Sequence, residues 1–152
     1  PVQYRASEDV IQEMLVEGEY LDATSLNERP MISADRQICG AGITNPYVDP
    51  GGDVRLCQRL PEVIGNVNEQ PFAEIWRNSE ARQRFVSLRW SDLNICSACD
   101  LSRFCTRCPA SALLEDGALM GPSTPDCSSA RAREKAVRRL LEMSGASPTD
   151  RA

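Results

Sequence analysis

The chain has 152 residues, enough for one ordinary domain or for a small domain with long tails. Its net charge of -5 at pH 7 gives no overall basic field, so we do not expect nucleic acid as a partner. No run approaches the roughly eighteen apolar residues of a membrane span, and the N-terminal segment PVQYRASEDV lacks the pattern of a signal peptide. We therefore expect a cytoplasmic protein that does not bind a membrane.

A helix is predicted near the N-terminal end of the sequence. Ser7 is a suitable N-cap, Gly18 ends the pattern, and the apolar residues between them recur along one side: Val10, Ile11, Met14 and Leu15. The stretch from Gly18 to Ile38 shows no sustained periodicity and is predicted to be a surface connector. Residues 1–36 are accordingly predicted to form an N-terminal helix and a connector.

A β-hairpin is predicted around the turn Asp49-Pro50-Gly51-Gly52. Pro presets φ and Gly accepts positive φ, which a tight turn requires. The second strand of this hairpin would end at Cys57. The stretch from Leu60 to Gln70 is predicted to be a loop.

Two helices are predicted after that loop. Pro71 is a suitable first helical residue, and the helix would carry Phe72, Ile75 and Trp76 on one face. The next helix is predicted from Ser79 to about Leu88.

Two more helices are predicted in the C-terminal third. The first covers Ala110 to Glu115, and a loop with two Gly and two Pro leads from it to Cys127. Ser128 or Ser129 would cap the second helix, whose inward residues are predicted to be Ala130, Val137, Leu140 and Leu141. Residues 131–152 are thus predicted to form a helix and a disordered polar tail.

The chain contains seven cysteines and no histidine. Seven is odd, so any disulfide scheme within one chain leaves a cysteine over, and the lack of an export signal favours a reducing compartment. Clustered thiols in that setting usually bind metal. The densest segment, CSACDLSRFCTRC at residues 96–108, contains two C-x2-C pairs, and each pair can place two thiolates close to one metal.

Spacing alone leaves zinc and iron-sulfur clusters both open. One four-sulfur zinc site would leave three cysteines over, whereas an iron-sulfur cluster tolerates an iron without a cysteine ligand. A zinc-stabilised interaction module without a redox role is therefore the main alternative to an iron-sulfur protein, and an autonomous electron carrier is a further one.

The order of the cysteines carries more information than any one pair. Cys39, Gly52 and Cys57 are followed by a C-x2-C-x5-C block, and then by Cys108 and Cys127. This pattern resembles the SPASM domain, the C-terminal auxiliary-cluster domain of many radical S-adenosylmethionine (SAM) enzymes. The segments YVDPGGDVRLC, IGNVNEQPFAEIW and CTRCPA also resemble the family, so that the likeness covers residues 37–130.

The resemblance implies two 4Fe-4S clusters and a larger parent enzyme. Auxiliary cluster I would be held by Cys39, Cys57 and Cys108, and auxiliary cluster II by the remaining four cysteines: Cys96, Cys99, Cys105 and Cys127. An upstream radical SAM barrel would contribute S-adenosylmethionine and a third 4Fe-4S cluster, and residues 1–36 would include the last helix of that barrel. This domain would serve electron transfer and engagement of a peptide or protein substrate.

The sequence departs from the family pattern at three points. Two residues separate Cys105 from Cys108, where the family often has three. Ser33 stands where some members have an extra cysteine. The fourth iron of cluster I would therefore be open, for example to a substrate thiolate, or would be bound by Asp35 or Asp53. No C-x3-C-x2-C motif is present, so we do not expect this chain alone to cleave S-adenosylmethionine.

The expected fold is a small, irregular α+β domain. A β-hairpin, several short helices and long cluster-binding loops would be organised around the two iron-sulfur clusters. Groups near the sulfurs would adjust the cluster potentials, and the nearest candidates in sequence are Arg103, Phe104 and Arg107.

Overall fold

A small antiparallel sheet and six helices make up the described part of the molecule. The computed structural model describes residues 5–18 and 21–145. Its strands are β1 (Tyr47–Val48), β2 (Asp53–Arg55) and β3 (Val63–Asn66), and its helices are α1 (Glu8–Glu17), α2 (Ala23–Glu28), α3 (Phe72–Asn78), α4 (Glu80–Ser87), α5 (Pro109–Asp116) and α6 (Thr124–Ser144). Three short 3-10 turns lie between α4 and α5: Trp90–Asp92, Cys96–Ala98 and Ser102–Phe104. The predicted α+β class is confirmed, while its organisation around two clusters stays a prediction.

The predicted hairpin forms β1 and β2. Asp49 organises the turn, because its Oδ1 accepts hydrogen bonds from the backbone N–H groups of Gly51 at 2.9 Å and Asp53 at 3.1 Å. Gly52 adopts a φ of 89°, which only glycine reaches easily. Cys57 lies two residues beyond β2 rather than at its end.

The prediction of a loop over Leu60–Gln70 is wrong, because residues 63–66 form the third strand. β3 pairs with β2, and Gly65 lies opposite Val54. A Cβ on Gly65 would be 2.8 Å from the Cγ2 atom of Ile75, so glycine lets α3 pack directly on the strand. This glycine interrupts the apolar alternation that would have revealed the strand.

The last helix begins before Cys127, so the predicted caps at Ser128 and Ser129 are wrong. Ser123 is the cap, and its Oγ accepts a hydrogen bond from the backbone N–H of Asp126 at 3.4 Å. Pro125 lies in the first turn of α6, where a proline is tolerated, so this proline does not mark a loop. Cys127 consequently lies inside the first turn of α6 rather than before the helix.

The inward face of α6 agrees with most of the prediction. Leu140 is half-buried, and the buried residues are Ala130, Ala132, Ala136, Val137 and Leu141. The helix ends at Gly145, whose φ is 74°. The predicted disordered tail falls on residues 146–152, outside the described residues.

Helix α1 packs along α6. It begins after Ser7 and ends before Gly18, as predicted. Its apolar side is only partly covered, since Val10 and Met14 are exposed. An ion pair supports the packing, with 3.6 Å between Glu8 Oε2 and Lys135 Nζ.

Helix α2 lies within the predicted connector and also packs on α6. Asp22 caps it, because its Oδ1 accepts a hydrogen bond from the backbone N–H of Ser25 at 3.0 Å. A helix of six residues is too short to show a helical period, which explains why the sequence did not predict it.

The middle helices lie close to their predicted positions. Pro71 precedes α3 instead of being its first residue, and Ser79 caps α4 as expected. The predicted helix over 110–115 is α5.

Two hydrophobic clusters form the core. The larger one contains Ile38, Ala41, Leu56, Leu60, Phe85, Trp90, Leu93 and Ala110, and the smaller one contains Phe104, Ala130, Val137 and Leu141. Cysteines pack at the edge of both, which places the thiols next to the core rather than on remote loops. Among the helices of the described ranges, none has both the length and the apolar character needed to cross a membrane.

The close contact between β3 and α3 gives the first testable prediction. Replacing Gly65 by Ala should lower the free energy of unfolding by about 1–3 kcal/mol, because the new Cβ overlaps Ile75. Urea unfolding followed by circular dichroism measures this cost. The same G65A change should cost less in an Ile75→Ala background, and equal costs in both backgrounds would contradict the proposed overlap.

Candidate metal centre

Two segments of the chain are paired just before the cysteine loops. Residues 34–37 and 89–91 run antiparallel, joined by a bridge and by backbone hydrogen bonds of 2.8 and 2.9 Å. Cys39 follows the first segment, and Cys96 follows the second. The pairing therefore holds the Cys39 loop beside the cysteine block.

Four cysteines line one cavity of about 90 Å³, which we call the four-cysteine cavity: Cys96, Cys99, Cys105 and Cys127. The two 3-10 turns at 96–98 and 102–104 supply the first three, and the first turn of α6 supplies the last. These are the residues that the resemblance assigns to auxiliary cluster II. The structure brings all four together.

Burial makes two of these thiols, Cys105 and Cys127, hard to ionise in the absence of metal. It raises the pKa of Cys105 to about 11, against the lowering effect of a hydrogen bond from the Arg107 backbone N–H. The pKa of Cys127 is also raised, first by burial and then by the neighbouring Cys96. At neutral pH a metal group must displace protons from these sulfurs, so its binding depends on pH.

The shape of the four-cysteine cavity matters for the kind of metal group it could hold. In residues 5–18 and 21–145, no three Cys, Asp or Glu side chains are close enough to hold one metal ion. A zinc site would need its sulfurs at about 2.3 Å from a single point. The four cysteines instead line a cavity, and this arrangement fits an iron-sulfur cluster, whose cysteine ligands surround the cluster.

Trp90 also lines the four-cysteine cavity. The residue is only 4% exposed, and its indole Nε1 is buried without a hydrogen-bond partner. An unpaired buried donor costs about 1–3 kcal/mol. A residue with an unpaired N–H therefore lines the four-cysteine cavity, where a metal-bound sulfur would be a hydrogen-bond acceptor.

Two other cysteines line a second, open cavity of about 540 Å³, the two-cysteine cavity: Cys39 and Cys57. Arg59 also lines this cavity, and its Nη1 lies 3.7 Å from the Sγ of Cys108. The Sγ of Cys39 accepts a hydrogen bond from the backbone N–H of Ala41 at 3.4 Å. Arg59 thus lines the cavity of Cys39 and Cys57 and also contacts Cys108, the third residue that the resemblance assigns to auxiliary cluster I.

A carboxylate joins the two cysteine groups. The backbone N–H of Cys108 donates to Asp126 Oδ2 over 2.7 Å. Asp126 immediately precedes Cys127 in the first turn of α6. The end of the cysteine block is thereby tied to the helix that carries the last cysteine.

The side chains considered for the fourth position of cluster I have other partners. Asp35 accepts a hydrogen bond from Ser33, and Asp53 Oδ1 accepts one from Asn66 Nδ2 at 2.9 Å. Neither carboxylate is among the described residues that line the two-cysteine cavity. The structure therefore places Cys39 and Cys57 in one cavity lining, with Cys108 in contact with Arg59 of the same lining, and neither of the two aspartates belongs to it.

The two arginines predicted to adjust the cluster potentials donate their side-chain N–H groups to backbone carbonyls. Arg103 Nη1 donates to the Asn27 carbonyl at 3.0 Å, and Arg107 Nη2 donates to the Gly121 carbonyl at 2.6 Å. The backbone N–H of Arg107 is the group that reaches a sulfur. The sequence analysis missed Trp90, Arg59 and Asp126. Of these, Arg59 and Asp126 carried a positional signal, since each lies within two residues of a cysteine.

A small α+β scaffold whose thiols line two cavities defines a cysteine-rich class of domain suited to holding a metal group. Comparison with protein families specifies that class, since residues 39–100 match the family model SPASM, described as an iron-sulfur cluster-binding domain. The predicted resemblance to the SPASM domain is confirmed over these residues. Cys105, Cys108 and Cys127 lie beyond the matched residues.

Curated relatives match about half of the chain. An AdoMet-dependent heme synthase of Methanosarcina barkeri is 36% identical over 81 residues, covering 52% of this chain and 22% of that protein. PqqA peptide cyclases of Xanthomonas euvesicatoria and Xanthomonas axonopodis are each 33% identical over 82 residues, covering 49% of this chain and 22% of those proteins. The alignments therefore span about a fifth of the length of these relatives. No solved structure matches the chain.

The grouping of the cysteines predicts that two substitutions remove different parts of the bound iron. Cys99→Ala should abolish the group in the four-cysteine cavity, and Cys57→Ala should abolish the other, so that each loses about half of the iron and sulfide. Iron and sulfide analysis of anaerobically reconstituted protein, with folding checked by circular dichroism, measures this.

Ser97→Ala is the matched control, since Ser97 is exposed between the two cysteines of the first C-x2-C pair. It should retain all of the iron. A folded C57A protein with unchanged iron content would contradict the assignment of Cys57.

Proposed function

We propose that this chain is the auxiliary-cluster domain of a radical SAM enzyme that modifies a peptide or protein. Relatives named AdoMet-dependent heme synthase and PqqA peptide cyclase support this proposal. Each is matched over only 22% of its length, as expected if a radical SAM barrel occupies another part of such proteins. The domain would carry electrons to or from the reaction centre and engage the substrate.

The proposed cofactors are two 4Fe-4S clusters with interleaved ligands. Cluster II would be held by the four cysteines around the four-cysteine cavity, and that shared cavity is the observation that supports the proposal most. Cluster I would be held by Cys39, Cys57 and Cys108, and the contact of Arg59 with Cys108 beside the cavity of the other two supports this set. Because only two residues separate Cys105 from Cys108, one short segment would ligate both clusters.

When bound, the clusters would supply one-electron redox chemistry. The chain's own contribution is to hold the sulfurs and to stabilise negative charge on them. Backbone N–H groups two residues after a cysteine do this twice, from Ala41 to Cys39 and from Arg107 to Cys105. Arg59 adds a positive charge beside Cys108. These fixed donors would favour the reduced, more negative state of a cluster.

A third cavity supports the proposed engagement of a substrate. Its volume is about 490 Å³, and it extends from Cys39 to Cys105, one cysteine from each proposed set. Three arginines line it, namely Arg29, Arg36 and Arg107, and its described lining includes no Asp or Glu. A carboxylate of a peptide or protein substrate would be favoured there, close to both clusters.

Anaerobic reconstitution with iron and sulfide tests the proposed cofactors. The purified chain should become brown and bind iron and sulfide in equal amounts, with Mössbauer spectra typical of 4Fe-4S clusters. Removal of the iron by a chelator should abolish most of the helical circular dichroism signal, because the cysteines are joined to both hydrophobic clusters.

The main alternative, a zinc-stabilised module, predicts a different result in the same experiment. A colourless protein that binds zinc tightly, with neither iron nor sulfide, would overturn the proposed function. It would identify the chain as a zinc-stabilised interaction module.

A further inference from the structure

Trp90 is a buried side chain whose hydrogen-bonding capacity is entirely unused. In the described residues, three side chains have a buried nitrogen without a partner: Arg55, Trp90 and Arg107. Both arginines donate through their other nitrogens, Arg55 to Asp49 and Arg107 to Gly121. Trp has a single N–H and no acceptor, so at Trp90 nothing else compensates for the unpaired group.

The position of Trp90 is fixed by the backbone on both of its sides. The backbone N–H of Trp90 donates to the Arg36 carbonyl over 2.8 Å. The 3-10 turn that begins at Trp90 is closed by Asp92, whose Oδ2 accepts a hydrogen bond from the Arg89 N–H at 2.8 Å. The ring also packs in the larger hydrophobic cluster. The orphaned donor is thus held in place before any metal group binds.

Trp90 lines two cavities whose linings contain cysteine. It lines the four-cysteine cavity and also the cavity of about 490 Å³. Cys105 is the cysteine that lines both of these cavities as well. A thiol is a weak acceptor, whereas a cysteine sulfur bound to an iron-sulfur cluster carries negative charge and accepts hydrogen bonds strongly.

We propose that the indole N–H of Trp90 donates a hydrogen bond to the cluster-bound sulfur of Cys105 and thereby raises the reduction potential of auxiliary cluster II. This inference rests on the proposed function, because it requires a cluster in the four-cysteine cavity. The Cys105 sulfur then accepts two N–H groups, one from the Arg107 backbone and one from Trp90. Donors to sulfur stabilise the reduced cluster, whose negative charge is greater.

Trp90→Phe tests the proposal because it retains an aromatic ring and removes the N–H. The W90F protein should bind as much iron and sulfide as the unmodified chain. The equilibrium constant for one-electron reduction of one cluster should fall about tenfold, which corresponds to a shift of 59 mV to more negative potential. A redox titration followed by electron paramagnetic resonance measures both clusters separately, and the other cluster should keep its potential.

Trp76→Phe is the matched control. Trp76 stacks on Phe72 at 5.5 Å between ring centroids and lines none of the three cavities described above. The W76F protein should keep both potentials. Unchanged potentials in W90F, or equal shifts in W90F and W76F, would overturn the proposal.

A second measurement decides the matter even if W90F fails to fold. In the unmodified chain with ¹⁵N-labelled indole, pulsed electron paramagnetic resonance of the reduced clusters should detect a coupled nitrogen, and W76F should retain it. The absence of an indole coupling in a protein that contains both clusters would overturn the assignment of Trp90. A chain that binds no iron at all would instead contradict the proposed function itself.

Discussion

The rest of the site depends on the antiparallel pairing of residues 34–37 with residues 89–91. The backbone hydrogen bonds of this pairing hold the Cys39 loop beside the cysteine block. They also fix Trp90, which packs in the core and lines the four-cysteine cavity. Core, loop and sulfur ligands are therefore positioned by the same few bonds.

We expect cluster binding and folding to be coupled in this chain, because its core is divided into two hydrophobic clusters. Cys39, Cys57, Cys96 and Cys108 pack against the larger hydrophobic cluster, whereas Cys105 packs against the smaller one. A cluster bound by Cys96 and Cys105 would join the two halves of the core through covalent iron-sulfur bonds. The hydrogen bond from Cys108 to Asp126 joins them in the absence of metal, but one such bond is weak by comparison.

The sequence predicted those features that depend on local chemistry. The turn at Asp49 and the caps at Ser7 and Ser79 follow from short-range residue patterns. The SPASM resemblance follows from the order of the cysteines along the chain and from the segments between them. Features set by tertiary contact were not predictable in this way. β3 was missed because residue 65 is a glycine, whose lack of a Cβ allows the close contact with Ile75. The start of α6 was misplaced because a proline in a first helical turn has the same sequence signal as a loop.

The same distinction holds within the candidate site. Seven cysteines can be counted in the sequence, yet their division into two groups came from the resemblance, and the cavities are visible only in the fold. Trp90 shows the limit most plainly. Nothing in the segment LRWSDL distinguishes it from a core tryptophan. Only its unpaired Nε1, together with its place in the lining of the four-cysteine cavity, suggests another role.

The central claim is that two separate clusters are bound by interleaved cysteines. A crystal structure of the anaerobically reconstituted chain, with an anomalous difference map recorded at the iron edge, tests it most directly. The account predicts two iron peaks, one enclosed by Cys96, Cys99, Cys105 and Cys127, and the other in contact with Cys39, Cys57 and Cys108. A single peak, an anomalous signal at the zinc edge alone, or Cys108 on the same iron group as Cys105 would contradict it.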